Sequence, residues 1–248
     1  FVGESFLGCD LWGTMGDSGK PGRPVSPERK IRAVFFDLGG VVLDSPINVV
    51  KEFEKKRGLP RNSINRAFAS SRSWASLERG EIGVGEFCEG VVSEGLMPES
   101  VTASDIQQIM RALAAALKPR SNMLQAIKAL KRMGLRVGAI TNNWREVSAA
   151  QNSPAAQSWH SLFEVVVESA VEGIRKPDPK IFEIACEKLG VRPQESVFLD
   201  DIGVNLKTAK KLGFRTLKVK TTDCDGAEAL SELFRLLEPR AIDIPSRL

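Results

Sequence analysis

Asp37 stands where the apolar run 31–36 breaks into Gly39 and Gly40. A carboxylate at a strand end, followed by glycines that let the backbone turn sharply, suits a nucleophile that must reach a phosphorus atom. A second apolar run closes on Thr141 and Asn142, whose hydroxyl and amide can hydrogen-bond phosphoryl oxygens. Lys176 precedes Pro177, which disfavours a helical conformation at Lys176, and Pro179 suits the first turn of the next helix. The lysine is thereby set on an extended segment, where its charge can offset a carboxylate and a phosphate. A further apolar run ends on Asp200 and Asp201. Paired carboxylates are hard oxygen ligands of the kind Mg²⁺ takes, together with waters and a substrate phosphate. The chemistry implied is phosphoryl transfer from a small phosphorylated substrate.

Each signal alone has a plainer reading: a turn or cap for Asp37, a solvated Lys176, an exposed loop for Asp200 and Asp201. Position changes the balance, because all four fall at or just beyond the ends of expected strands. Those strands are the runs 31–37, 135–141, 163–169, 196–201 and 215–220, continuous rather than alternating, as parallel strands covered on both faces require. Between the later ones lie amphipathic helices. One opens with Ser121 as N-cap and stops at Gly134; another has Asp178 as N-cap, Pro179 at the first position and Gly190 at its end; a third closes on Gly213. Strands alternating with such helices predict an α/β fold with a doubly wound parallel sheet. The segment between the first two strands is too long for one crossover and carries only helical patterns. It predicts an all-helical cap over residues 46–118, inserted after the first strand above the edge where such sheets bind ligands. Residues 31–45 and 119–240 then form the core domain. Residues 1–30, rich in Gly, Ser and Pro, are expected to be poorly ordered, and 241–248 to form a tail.

The totals exclude several classes. With 35 basic and 31 acidic residues scattered through 248, no basic stripe marks a nucleic-acid partner. No run of 18 apolar residues marks a membrane span. Cys9, Cys88, Cys186 and Cys224 are widely spaced, without zinc spacing, which fits reduced thiols and a cytoplasmic location. The final Ser246-Arg247-Leu248 is a variant of the peroxisomal tripeptide address, and is read as one only at a native C-terminus.

The strand-Asp, strand-Thr, Lys and strand-Asp-Asp motifs, in this order and with a helical cap after the first, resemble the haloacid dehalogenase (HAD) superfamily. The stretches "FDLGGVV", "ITNNW", "IRKPDP" and "FLDDIGVN" are similar to the N-terminal phosphatase domain of soluble epoxide hydrolase and to the HAD-like domain of acyl-CoA dehydrogenase family member ten. The resemblance implies an aspartyl-phosphate formed on Asp37. It implies Mg²⁺ held by Asp37, the Gly39 carbonyl and Asp201, with Asp200 supporting. Thr141 and Asn142 would hold the phosphoryl group, Lys176 would neutralise charge, and Asn205 would orient the metal site.

One position departs from that pattern. Phosphatases of the family carry, two residues after the nucleophile, an aspartate that protonates the leaving group; here it is Gly39. General acid catalysis contributes ~10²–10⁴-fold, so esters with poor leaving groups should suffer most. Two alternatives therefore stand beside a phosphatase: a weak or inactive protein that binds an anionic ligand, and a metal-free dehalogenase, against which Asp200 and Asp201 argue. Asp44 is too far along the chain to be expected back in the site. Trp74 reads as cap packing, Arg79 as either a turn or a substrate contact, Trp144 as either pocket or core, and His160 as a half-buried helix-end residue.

Overall fold

The computed structural model describes residues 30–45, 47–147, 160–220 and 225–238. The expected N-terminal segment and the Ser246-Arg247-Leu248 tail lie outside them. Five strands, β1 (Ala33–Phe36), β2 (Arg136–Thr141), β3 (Val165–Glu168), β4 (Ser196–Asp200) and β5 (Arg215–Lys218), pair in the order β3-β2-β1-β4-β5. Every pairing is parallel, with Phe36 level with Ala139 on one side and Leu199 on the other. The strand carrying Asp37 is therefore central, and the neighbouring strand ends converge on it.

Five helices, α1 (Ile47–Lys56), α2 (Ser63–Ser70), α3 (Arg72–Glu78), α4 (Val84–Ser93) and α5 (Ala103–Ala115), lie between β1 and β2. They pack on one another through Val50, Ile64, Phe68, Leu77, Phe87 and Ile109. Buried Glu54 anchors the start of α2 by accepting the Asn62 and Ile64 N–H groups at 2.7 and 2.9 Å. Where the helical segment leaves and rejoins the sheet, its two ends run antiparallel. The Asp44 N–H donates to the Lys118 carbonyl at 2.8 Å, and the Arg120 N–H to the Val42 carbonyl at 2.9 Å.

After that segment come α6 (Ser121–Arg132), α7 (Ser169–Glu172), α8 (Pro179–Leu189), α9 (Gly203–Leu212) and α10 (Ala227–Leu237). One sheet face buries Val34, Phe36, Ala139 and Leu199 with Ile127 and Leu130 of α6 and Leu233 of α10. The other buries Phe35, Ile140 and Phe198 with Ile181, Phe182 and Leu189 of α8. Both faces of the sheet are covered, which is why the strands read as continuous apolar runs. No helix among the described residues is long and apolar enough to cross a membrane.

The strands are shorter than the sequence reading has them, and two boundaries show why such edges shift. Ser121 is the first helical residue of α6 rather than its N-cap; Arg120 takes that place because its N–H is already held by Val42 in extended backbone. The third strand stops at Glu168, and Ser169 opens α7. Asp178, by contrast, caps α8 through the Lys180 N–H at 2.9 Å, and Gly190 closes it with φ of 61°.

Gly138 in β2 lets the Phe35 ring approach: a β-carbon there would meet two ring atoms at 2.8 Å. Phe35 is fully buried and packs edge-on against Phe214. Gly138→Ala is accordingly expected to destabilise the fold by about 1–3 kcal/mol, the usual cost of overpacking. A urea midpoint equal to that of the parent would contradict this.

Candidate active site

The site is built around a buried lysine. Lys176 is 1 % exposed, and its ammonium contacts three oxygens: Asp37 Oδ1 at 2.9 Å, Asp200 Oδ2 at 2.8 Å and the Ile140 carbonyl at 2.8 Å. Three contacts match the three N–H bonds of an ammonium, so the charge is fully engaged. Its backbone is fixed as well. The Lys176 N–H donates to Asn142 Oδ1 at 2.8 Å, and Asn142 Nδ2 donates to the Lys176 carbonyl at 3.0 Å. The Asn142 side chain thus clamps the loop that carries the lysine. The clamp uses one of the two Nδ2 hydrogens, so the second, with the backbone N–H, remains for the contact with phosphoryl oxygens that the sequence suggests.

Asp37 follows β1 directly, its N–H donating to the Leu199 carbonyl at 2.8 Å. Its Oδ1 also accepts the Leu38 N–H at 2.7 Å, which sets the carboxylate's direction. Burial raises the Asp37 pKa, and Asp200 and Asp201 raise it further against the pull of Lys176. Asp200 is wholly buried and fully occupied. It accepts the Ile202 N–H at 2.7 Å, Asn205 Nδ2 at 3.2 and 3.0 Å, and Lys176. Asn205 therefore orients Asp200. Asp201 is only partly buried, and desolvation, aided by Asp200, pushes its pKa up to about 6.

Carboxylate oxygens of Asp37, Asp200 and Asp201 lie within 4.8 Å of one another. The three acids outnumber the one ammonium that contacts them, an excess of negative charge that a divalent cation with hard-oxygen preference would offset. The donor set fits Mg²⁺. Gly40 serves the same cluster, for a β-carbon at its φ of 82° would lie 2.6 Å from Asp201 Oδ2. At Gly39 a β-carbon would meet nothing within 4 Å. The vacancy of the expected acid is thus real space, open to the cavity.

That cavity, about 560 Å³, is lined by Asp37, Gly39, Asn142, Lys176, Asp201 and Asn205 at its floor. Ile47, Val50, Phe68, Trp74, Leu113 and Trp144 supply an apolar wall. Trp74 does two things, stacking on Phe68 at 4.9 Å and facing the cavity, and Trp144 packs on it at 5.9 Å. Thr141 ends β2 and is buried, and it is not among the residues that line the cavity. Arg79 turns away to Glu81, Asp44 pairs outward with Arg120 at 3.6 Å, and His160 does not line the cavity.

Sequence reasoning missed Glu78 and Arg175. Both line the cavity, and they pair across the gap between α3 and the loop before Lys176 at 2.6 Å. The helix phase of α3 was the available signal: Leu77 and Glu78 are buried, whereas Arg79 is half-buried. Gly80 seats the turn after α3 on α7, since a β-carbon there would fall 2.4 Å from the Ala170 carbonyl oxygen.

A strand-end carboxylate, a saturated lysine and an acid pair gather at the mouth of a doubly wound parallel sheet, the edge where such folds bind ligands. The chain belongs to the haloacid dehalogenase-like hydrolases, whose family profile matches residues 31–213. It is 35% identical over 224 residues to mouse acyl-CoA dehydrogenase family member 10, covering 88% of this chain and 20% of that protein. It is 32% identical over 232 residues to pig bifunctional epoxide hydrolase 2, covering 87% and 40%. The chain thus spans less than half the length of either. Phosphatases occur among further relatives, including a sesquiterpene phosphatase of Aspergillus oryzae, 27% identical over 73% of this chain and 86% of its own. A HAD family enzyme of Bacteroides thetaiotaomicron, solved with magnesium and inorganic phosphate, superposes with a TM-score of 0.57. It is 26% identical and covers 77% of this chain and 95% of its own.

Proposed function

We propose that the protein hydrolyses phosphate monoesters with bulky apolar leaving groups, through Asp37 as nucleophile. The observation that carries this reading is the buried cluster of Asp37, Lys176, Asp200 and Asp201 at the floor of an apolar cavity. A phosphate drawn to the floor leaves its ester group against Trp74, Phe68 and Leu113, where an apolar chain is favoured by roughly 25 cal/mol per Å² removed from water. The sesquiterpene phosphatase relative supports the same substrate class.

Asp37 Oδ2, the oxygen opposite the lysine-bound Oδ1, is the attacking atom. The Asp37–phosphorus bond forms as the bond to the ester oxygen breaks, and water then cleaves the aspartyl-phosphate to return the carboxylate. Lys176 pulls the Asp37 pKa down against the burial that raises it, and compensates the charge brought by the phosphate, the electrostatic part of phosphoryl transfer. Thr141 and the Asn142 backbone hold phosphoryl oxygens. Mg²⁺ would be held by Asp37, the Gly39 carbonyl and Asp201, with Asp200 and Asn205 orienting them. When bound, it supplies charge neutralisation at the phosphoryl oxygens.

Phosphate release from p-nitrophenyl phosphate and acetyl phosphate tests this. Turnover is expected with Mg²⁺, and to fall at least ~10³-fold in chelator or in Asp37→Asn, as when a covalent nucleophile is lost. A folded protein that binds phosphate but never turns over, with or without Asp37, would instead favour the ligand-binding reading that Gly39 suggests.

A further inference from the structure

The cavity wall contains three carboxyl groups, and two of them, Asp37 and Asp201, belong to the nucleophile and metal cluster. The third is Glu78, at the end of α3, where it lines the cavity together with Trp74 of the same helix and Arg175. We propose, building on the phosphatase reading, that Glu78 is the catalytic acid of this enzyme, protonating the leaving oxygen in place of the side chain that Gly39 lacks. Gly39 brings no side chain to the ester oxygen, and a β-carbon there would meet nothing within 4 Å, so a proton for the leaving group comes from the cap rather than from the nucleophile loop.

The surroundings of Glu78 suit the task. It is 6 % exposed, and burial raises its pKa to about 7 against the opposing pull of Arg175, Lys176 and the Trp74 indole. Arg175 and Lys176 come from the loop beneath it, Trp74 from its own helix, and Arg79 lies beyond on the turn after α3. A dianionic phosphate adds negative charge nearby and favours the protonated form further. As the phosphorus–oxygen bond breaks, its electron pair stays on the leaving oxygen, which takes the Glu78 proton. The resulting carboxylate is received by Arg175 at 2.6 Å. In the second half-reaction the same carboxylate takes a proton from the water that attacks the aspartyl-phosphate. The acid is restored, and each turnover consumes one water and releases one alcohol and one phosphate.

The sign of the pH dependence follows. Glu78 must be protonated to act, so the contribution is present below its pKa and lost as pH rises through it. For an alkyl phosphate, kcat/KM of the wild type should fall on the basic side of neutrality. Glu78→Gln should lose that limb and turn over alkyl phosphates ~10²-fold or more slowly, at the lower end of what general acids contribute. On p-nitrophenyl phosphate, whose leaving group needs no proton, the loss should be less than ~10-fold. Equal losses on both substrates would make Glu78 a positioning residue through Arg175 and overturn the assignment. The dependence of the wild-type rate on leaving-group pKa needs no variant: a shallow slope supports the acid, a steep one refutes it. Activity that requires Asp37 but ignores Glu78→Gln sinks this assignment alone. Absence of any Asp37-dependent turnover sinks the phosphatase reading with it.

Discussion

Lys176→Met is expected to abolish phosphate release and to lower stability by about 3–5 kcal/mol, the range for removing one partner from a buried ion pair. The loss is large because one ammonium serves Asp37, Asp200 and the Ile140 carbonyl together. Methionine fills much of the space but leaves two buried carboxylates facing each other with no cation between them. Lys176→Arg should rescue little, since a planar guanidinium cannot direct three converging N–H bonds as an ammonium does. Equilibrium urea unfolding in chelator isolates the effect from any metal, and a midpoint unchanged from the wild type would contradict it.

The second expectation concerns the empty position. Gly39→Asp, placed in the Glu78→Gln background, should raise turnover of alkyl phosphates by ~10²–10⁴-fold. A β-carbon there meets nothing within 4 Å, and position 39 lies on the loop that already holds Asp37. In the wild-type background the gain should be smaller, because Glu78 already supplies part of the protonation. The difference between the two gains is a coupling energy, measured by the double-mutant cycle. Equal gains in both backgrounds would show that the two side chains act independently and that Glu78 contributes no proton. No gain in either would mean that the ester oxygen lies out of reach of position 39.

Much of the core could be read from the chain because its signals are local. Apolar runs ending on Asp37, Thr141 and Asp200, and helices closed by Gly190 and Gly213, are set by neighbours a few residues away. The lysine motif was legible through two prolines that fix the backbone on either side of Asp178. Pairings across the chain were not. Nothing near Glu78 announces Arg175, and nothing near Asn142 says that its amide will clamp the Lys176 backbone. The "ERGE" turn drew attention to Arg79, while the residue before it is the one that the helix turns inward. Ser121 illustrates the same limit, since its capping role was displaced by a hydrogen bond from Arg120 to Val42 that only the folded sheet provides.

The antiparallel contact between 42–44 and 118–120 places the two ends of the helical segment side by side at the rim of the sheet. Everything between them leaves and returns through one narrow gate. A chain that closes on itself in this way can exchange that whole segment for a short turn, or for a different one, at a loop-closure cost that grows only with the logarithm of its length. Such a fold behaves as a socket: the hydrolytic floor stays with the sheet, and new substrate preferences arrive by grafting.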